Sequence, residues 1–422
     1  MNAFRERGDT ILDTSPAGVF RRYTPKAGHP DWPTLFDTAR ESAREVRKAQ
    51  EPARRGWRET LRRARSVETA ARAFAVNAAR AQAGREDLLP LYFIWTTHRA
   101  CNFLCSYCDD HRGRRYPELP LDGALDTKDG VRLLRVMRTR AASVYFSGGE
   151  PTLRKDLPLL VRAARDLDYY PIIINTNAAT LDAVLLRDAW RTFLADIDQI
   201  VVSLDALDLA TLRDMWRWKR PERVVKNLLM LRELATDFRF KLAVNCVIQP
   251  GATAEARDVL DLAADLGIWF SPVPMNIAER AAPQSDEPAY RALAALILKR
   301  KAEGQRINGS LRMNRRLLFR EPLDCRNTLK PHVDHDGRLF WPCKSSVNVE
   351  PLLVNVLDFE HVDALWAHCR ALIDPTNFHG PGPNQCGGAC NWAQNYTTDA
   401  YAEGLHRPLT LAGEVREFLR TS

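Results

Sequence analysis

The 422 residues predict an α/β protein built on a parallel sheet, and three observations carry that prediction. Apolar, β-branched runs recur at Leu91–Thr97, Ser143–Ser147, Pro171–Thr176, Gln199–Leu204, Lys241–Ile248 and Ile268–Val273. Helical patterns alternate with them, among them Thr127–Thr139, Leu157–Leu167, Ala183–Leu194, Arg220–Thr236 and Ala254–Leu266. The residues best suited to chemistry fall at or just after the ends of the runs, where a parallel sheet presents its functional groups. Six strand–helix repeats make a partial (β/α)6 parallel barrel, spanning residues 90–305.

Residues 1–89 read differently, as a basic helical extension. Trp32–Gln50 and Arg54–Gln82 are rich in Ala, Arg, Glu and Leu, with Pro52 and Gly56 between them as breakers. Trp57, Leu61, Ala64 and Val67, with Ala71 and Phe74, recur at helical spacing and predict one apolar stripe. Residues 1–90 hold 18 Lys and Arg against 12 Asp and Glu, most of the chain's net charge of +8. A helical hairpin packed outside the barrel, its arginines solvated, is favoured over contact with an anionic substrate, a peptide or a membrane surface. No strand pair or winged-helix pattern is evident there, which counts against a leader-peptide recognition domain.

Directly after the first apolar run comes Cys101-Asn102-Phe103-Leu104-Cys105-Ser106-Tyr107-Cys108. Three thiolates on one loop can hold three irons of a four-iron, four-sulfur cluster and leave the fourth iron open for chemistry. Zinc is the competing reading, but it normally takes four ligands, and His111 is the one nearby candidate. At the end of the second run stands Gly148-Gly149-Glu150-Pro151. Glycines there allow close backbone approach, and a carboxylate there suits a cationic ligand.

The cysteine spacing, the aromatic Tyr107 just before the third cysteine, and Gly-Gly-Glu-Pro at the next strand end together resemble the radical S-adenosylmethionine (radical SAM) enzymes. The resemblance covers about residues 90–300 and implies the partial barrel of that family. It also implies that S-adenosylmethionine chelates the open iron and is reductively cleaved, with the protein supplying orientation and dryness. Electrons then come from a reducing partner such as flavodoxin or ferredoxin. On this reading Cys101, Cys105 and Cys108 are metal ligands, and Tyr107, Gly148, Gly149 and Glu150 bind the cofactor, Glu150 through the methionine ammonium. Ser203 and Asp205 lie on one face of the fourth strand end, which the family uses for the ribose and the carboxylate, and Asn245 on the next strand adds a polar contact. Each of these polar residues has a strand-end cap or turn role as its alternative.

Residues 306–422 carry a second cysteine set. Cys325 and Cys343 flank Asp334-His335-Asp336-Gly337-Arg338, a hairpin-turn signal, and Cys386 and Cys390 follow in Cys-Gly-Gly-Ala-Cys. The arrangement resembles the shortened "twitch" form of the SPASM module, which implies a second, auxiliary four-iron cluster ligated by Cys325, Cys343, Cys386 and Cys390. A structural zinc site is the alternative. Cys246 and Cys369 have no ligand partner at a useful spacing and read as buried, incidental thiols.

Composition narrows the function classes. No apolar run reaches the length of a membrane span, and the N-terminus lacks a signal-peptide core. The nine cysteines are an odd number, seven of them in cluster-like arrangements, so a disulfide framework is disfavoured and a cytoplasmic setting expected. An electron-transfer protein with two clusters needs the cysteines but not Gly-Gly-Glu-Pro at a strand end. An RNA-modifying enzyme could use the N-terminal arginines on phosphates, yet Trp32 and Trp57 are the main stacking residues there, and nucleic acid is disfavoured. The resemblance to radical SAM enzymes thus stands, and it implies a small-molecule, natural-product or peptide substrate and oxidation, bond formation or epimerisation. Lipid substrates are a further alternative.

Overall fold

Each apolar run becomes a strand, with ends shifted by no more than a residue. In chain order these are β1 (Tyr92–Thr96), β2 (Ser143–Ser147), β3 (Ile172–Thr176), β4 (Gln199–Ser203), β5 (Lys241–Ile248) and β6 (Trp269–Pro274). They pair in parallel, each with the next in sequence, and the sheet does not close on itself, giving the expected partial barrel. The computed structural model describes residues 26–54, 56–108, 123–277, 280–282, 287–323, 325–344, 349, 352–388, 390–407 and 409–413. Ahead of these it gives three short antiparallel strands, Glu6–Arg7, Thr10–Leu12 and Phe20–Arg22, in a region expected to hold helices alone.

Strand alternation divides the sheet into two faces. Phe93, Trp95, Val144, Phe146, Val202, Val244 and Cys246 join the main core beneath the helices. Ile173, Val201, Ala243 and Trp269 form a small separate cluster on the other face, the barrel lumen. The outer layer is built from α3 (Thr127–Arg138), α4 (Leu157–Asp166), α5 (Leu209–Trp216), α6 (Glu222–Phe238) and α7 (Thr253–Leu266), following α1 (Trp32–Ala49) and α2 (Trp57–Gln82). Asp126 and Asp208 cap α3 and α5 by accepting from the backbone N–H groups of Asp129 and Thr211.

The helix expected over Ala183–Leu194 is broken into single turns, Leu181–Val184, Asp188–Trp190 and Phe193–Asp196. Buried Gln50 is the physical reason. Its amide donates to the carbonyls of Leu185 and Trp190 and accepts from the N–H of Leu194, taking backbone groups that a continuous helix would use.

The stripe on α2 is inverted from the expected sense. Trp57 is 70% exposed and Val67 65%, while Arg62, Ser66, Ala73 and Asn77 are buried. The buried side of the helix meets backbone groups and a carboxylate rather than an apolar surface. Ser66 donates to the carbonyls of Ala142 and Tyr170, and Asn77 pairs with both backbone groups of Leu89. Arg62 reaches the Tyr169 carbonyl and forms a two-pronged pair with Asp198. Unpaired carbonyls demand donors, so the polar side of the helix docks. Only toward its end does the stripe bury, where Phe74 meets Tyr401 edge-on. The arginines are spent in the same way: Arg54 on buried Asp196, Arg65 on Asp168 and Arg47 on Asp237.

The C-terminal region continues the same sheet. β7 (His332–Val333) adds in parallel to β1, and β8 (Arg338–Trp341) and β9 (Leu352–Asn355) follow antiparallel. The turn between β7 and β8 is the hairpin expected at Asp334–Arg338, with Gly337 at φ +86°. Among the described residues no helix is long and apolar enough to cross a membrane.

Candidate active site

The cysteine loop leaves β1 and is zipped on one side to the segment after β2. Gly149 N–H donates to the His98 carbonyl and Glu150 N–H to that of Ala100, both at 2.8 Å. This explains the paired glycines. A Cβ at Gly148 would lie 2.6 Å from the His98 carbonyl oxygen, and one at Gly149 would collide with that of Ala100. The close approach expected of Gly148 and Gly149 is thus first an approach to the chain's own backbone.

On its other side the loop is held by α5. Leu104 and Ser106 donate to the carbonyls of Trp216 and Met215, and Phe103 stacks on Trp216 with ring centroids 5.1 Å apart. Asn177 donates to Asn102 at 2.8 Å and lies 3.9 Å from the Cys101 sulfur. The three thiols, Cys101, Cys105 and Cys108, open together with Thr96, Arg99, Gly148, Gly149 and Lys344 on a pocket of about 410 Å³, its solvent mouth included.

Glu150 is fully buried and occupied. Its carboxylate accepts from the Thr152 N–H and hydroxyl, the Thr176 hydroxyl and the Asn177 N–H. Burial still pushes its pKa up, against those hydrogen bonds. The geometry makes Glu150 a clamp between the ends of β2 and β3, the strand-end role that competed with ammonium binding. Asp205 is held in the same manner. It is 1% exposed and accepts from the Tyr107 hydroxyl at 2.5 Å, the Trp216 indole at 2.9 Å and the Val247 N–H at 2.8 Å. With these three donors it pins Tyr107 and the cysteine loop to the barrel. Burial raises its pKa and that of the Tyr107 phenol, which also feels the Asp205 charge.

Ser203 and Asn245 differ from Asp205. They are register partners on β4 and β5, half-buried and opposite the core-facing Val202 and Val244, so they stand in the lumen. Neither side chain forms a hydrogen bond with another described residue, which leaves both polar groups available to a ligand.

Burial pushes the Cys101 thiol up to about 11 and Cys105 higher still, with the neighbouring thiol of Cys108 adding to the effect. Such thiols are neutral at neutral pH and become thiolates when a metal displaces the proton. Among the described residues no His, Cys, Asp and Glu side chains converge as the ligands of a single metal ion would. The three thiols line a cavity instead, a donor set suited to a polynuclear cluster. His111, the zinc candidate, lies outside the described residues.

The four C-terminal thiols also gather. Cys343 and Cys386 share a cluster with Phe378, and Cys325 is pushed well up by burial and by Cys343, Cys390 and Cys386 around it. Asn395 donates from its amide to the sulfurs of Cys325 and Cys390. Cys246 and Cys369 are buried in the main core, away from both sets. Sequence reasoning passed over Asn177, Arg99 and Asn395. Arg99 is held by an ion pair to Asp334, 235 residues away, a relation that no local motif announces.

A thiol loop at the mouth of an open parallel barrel defines the class, a cluster-dependent enzyme that works at its strand ends. Residues 95–263 match the Radical SAM superfamily model, so the chain carries a radical SAM domain, the superfamily's cofactors being a four-iron cluster and S-adenosylmethionine. Among curated proteins it is similar to GTP 3',8-cyclase 2 of Mycobacterium bovis, 34% identical over 165 residues, which are 38% of this chain and 43% of that protein. A probable GTP 3',8-cyclase of Saccharolobus solfataricus is 30% identical over 179 residues, 42% of this chain and 53% of that one. The chain thus spans about half the length of these relatives. Among solved structures, Streptococcus suis SuiB bound to S-adenosylmethionine shares the fold, with a TM-score of 0.54 and 18% identity over 75% of this chain and 74% of that one.

Proposed function

We propose that Cys101, Cys105 and Cys108 hold the catalytic cluster and that the chain abstracts a hydrogen atom from a natural-product or biosynthetic substrate, giving oxidation or bond formation. The observation that carries this reading is the shared pocket of the three thiols, the backbone of Gly148 and Gly149 and the cations Arg99 and Lys344. When bound, the reduced cluster and S-adenosylmethionine supply a 5'-deoxyadenosyl radical. The protein's own part is positional. Lys344 and the Asp334-held Arg99 line the pocket, Ser203 and Asn245 offer lumen hydroxyl and amide groups, and Asp205 and Glu150 keep the loop from shifting under them. Cys325, Cys343, Cys386 and Cys390 hold an auxiliary cluster, for which four gathered thiols are suitable ligands. None of the nine cysteines is in a disulfide, which suits a reducing cytoplasm and a flavodoxin- or ferredoxin-type reductant.

The names of the matched relatives support a second reading, cyclisation of a purine nucleotide, and peptide maturation stands as a third. The test begins with protein purified without oxygen, which should carry about eight irons and cleave S-adenosylmethionine reductively. Replacing Cys101, Cys105 and Cys108 together by alanine should halve the iron and abolish cleavage. A triple variant that still cleaves would refute the assignment. Adding GTP or a peptide to the wild type and looking for product separates the substrate readings.

A further inference from the structure

Two buried groups of the C-terminal region have no role in the chemistry described so far. Lys330 is 0% exposed, just before β7. Its ammonium donates to the Asn327 side-chain carbonyl and sits 4.2 Å from the centre of the Trp392 ring. Among the described residues it has no ion pair with a carboxylate. Cys343, Cys325 and Cys390, three of the four gathered thiols, lie close enough to act on the ammonium against the cost of its burial. Removing an ammonium from water costs several kcal/mol unless an anion compensates. A cation buried beside cysteines is compensated once those sulfurs are ligated as thiolates.

Asn395 supplies the second observation. It is 2% exposed, and its Nδ2 lies 3.2 Å from the Cys325 sulfur and 3.6 Å from the Cys390 sulfur, so one amide bridges two prospective ligands. Its own carbonyl oxygen is buried without a hydrogen-bond partner, which means that the side chain is oriented by the sulfurs rather than by a competing donor. Hydrogen bonds to cluster sulfurs and nearby positive charge both favour the reduced, more negative state of an iron–sulfur centre.

We infer that Lys330 and Asn395 are positioning residues that raise the reduction potential of the auxiliary cluster and so poise it to take up an electron. The inference rests on the proposal that Cys325, Cys343, Cys386 and Cys390 hold such a cluster, and it deepens that proposal by favouring the oxidative outcome. An acceptor of this kind takes one electron from the substrate radical, passing from its oxidised to its one-electron-reduced state, while the proton lost with that electron leaves from the substrate to water or buffer. The closed shell that results is an oxidised product. A cluster without these two groups would be harder to reduce and a poorer acceptor.

The experiment measures potential, not turnover. In full-length protein carrying Cys101→Ala, Cys105→Ala and Cys108→Ala, only the auxiliary centre remains, and its midpoint is read by anaerobic redox titration with electron paramagnetic resonance. Asn395→Leu and, separately, Lys330→Met should each lower the midpoint by the equivalent of about a tenfold weaker preference for the reduced form, about 59 mV for a one-electron couple. Asn395→Gln, which keeps the amide donor, should restore most of the shift. Unchanged midpoints with full iron in both variants would overturn the inference and leave the cluster assignment standing. Loss of iron from both would also overturn it, because it would make the two residues fold determinants. Absence of a cluster from the triple-alanine parent itself would instead refute the auxiliary-cluster reading.

Discussion

The two cysteine sites use the same ligand type on opposite plans. Cys101, Cys105 and Cys108 are half-buried on a loop clamped from both sides, and they open on a pocket lined by glycine backbone. Cys343 and Cys386 are buried against Phe378, and Asn395 covers Cys325 and Cys390. In the first site the surrounding groups hold mainly the loop, with Asn177 reaching the Cys101 sulfur at 3.9 Å, and leave a face for a ligand. In the second they turn toward the sulfurs themselves. An open iron needs access and a rigid rim, whereas a closed cluster needs insulation and charge compensation.

The sharpest break of this comparison is a thiol removed from the closed site. Cys386→Ala should lower the iron content toward four per chain and abolish product formation, while reductive cleavage of S-adenosylmethionine without substrate survives. Iron and product measured on the same sample decide it, and full values of both would mean that the four thiols do not form a cluster.

Next in size is the clamp behind the open site. Asp205→Ala leaves the Tyr107 hydroxyl, the Trp216 indole and the Val247 N–H without their acceptor. At about 1–3 kcal/mol for each orphaned buried donor, the loss of stability in urea should be roughly 3 kcal/mol or more. Glu150→Ala orphans the N–H groups of Thr152 and Asn177 and should cost about 2–4 kcal/mol by the same rule. If Glu150→Ala instead leaves stability intact and only weakens S-adenosylmethionine binding in calorimetry, its role is ligand binding and the clamp is wrong.

A smaller, pH-dependent effect follows from the buried thiols. Cys101 titrates near 11 in the fold against an ordinary value of 9.0, so the native state favours the protonated thiol. That preference is fully present below pH 9 and is lost as pH rises through the folded value. Cluster-free protein should hold a constant melting temperature from pH 7 to 8.5 and lose stability above pH 9, and Cys101→Ser should flatten the decline. Iron-loaded protein, whose thiols are already thiolates, should not show it.

The smallest change is expected on the exposed stripe of α2. Trp57→Ala should stay within about 0.5 kcal/mol, while Arg62→Met on the same helix, which strands the Asp198 charge at the barrel floor, should cost about 3 kcal/mol. Equal effects in denaturant would mean that α2 docks through its apolar side after all.

Much of this was legible in the chain. The six strands, the parallel order and the position of both cysteine sets follow from local pattern, because strand propensity, turn glycines and ligand spacing are all short-range properties. Alternation put Ser203 on one face of its strand end together with Asp205, whereas the register that sets Ser203 beside Asn245 came from the sheet. Long-range partnership was not legible. That Asp205 meets Tyr107 depends on a loop 98 residues earlier, and whether Glu150 is free depends on Thr176 and Asn177 at the next strand end. The side of α2 that docks was read from hydropathy, but the barrel floor offers carbonyls, and these called for Arg62, Ser66 and Asn77. Local chemistry decided where the strands and thiols stand. Only packing decided which polar groups are consumed in holding them, since a buried donor or acceptor takes whatever partner the fold brings within 3 Å.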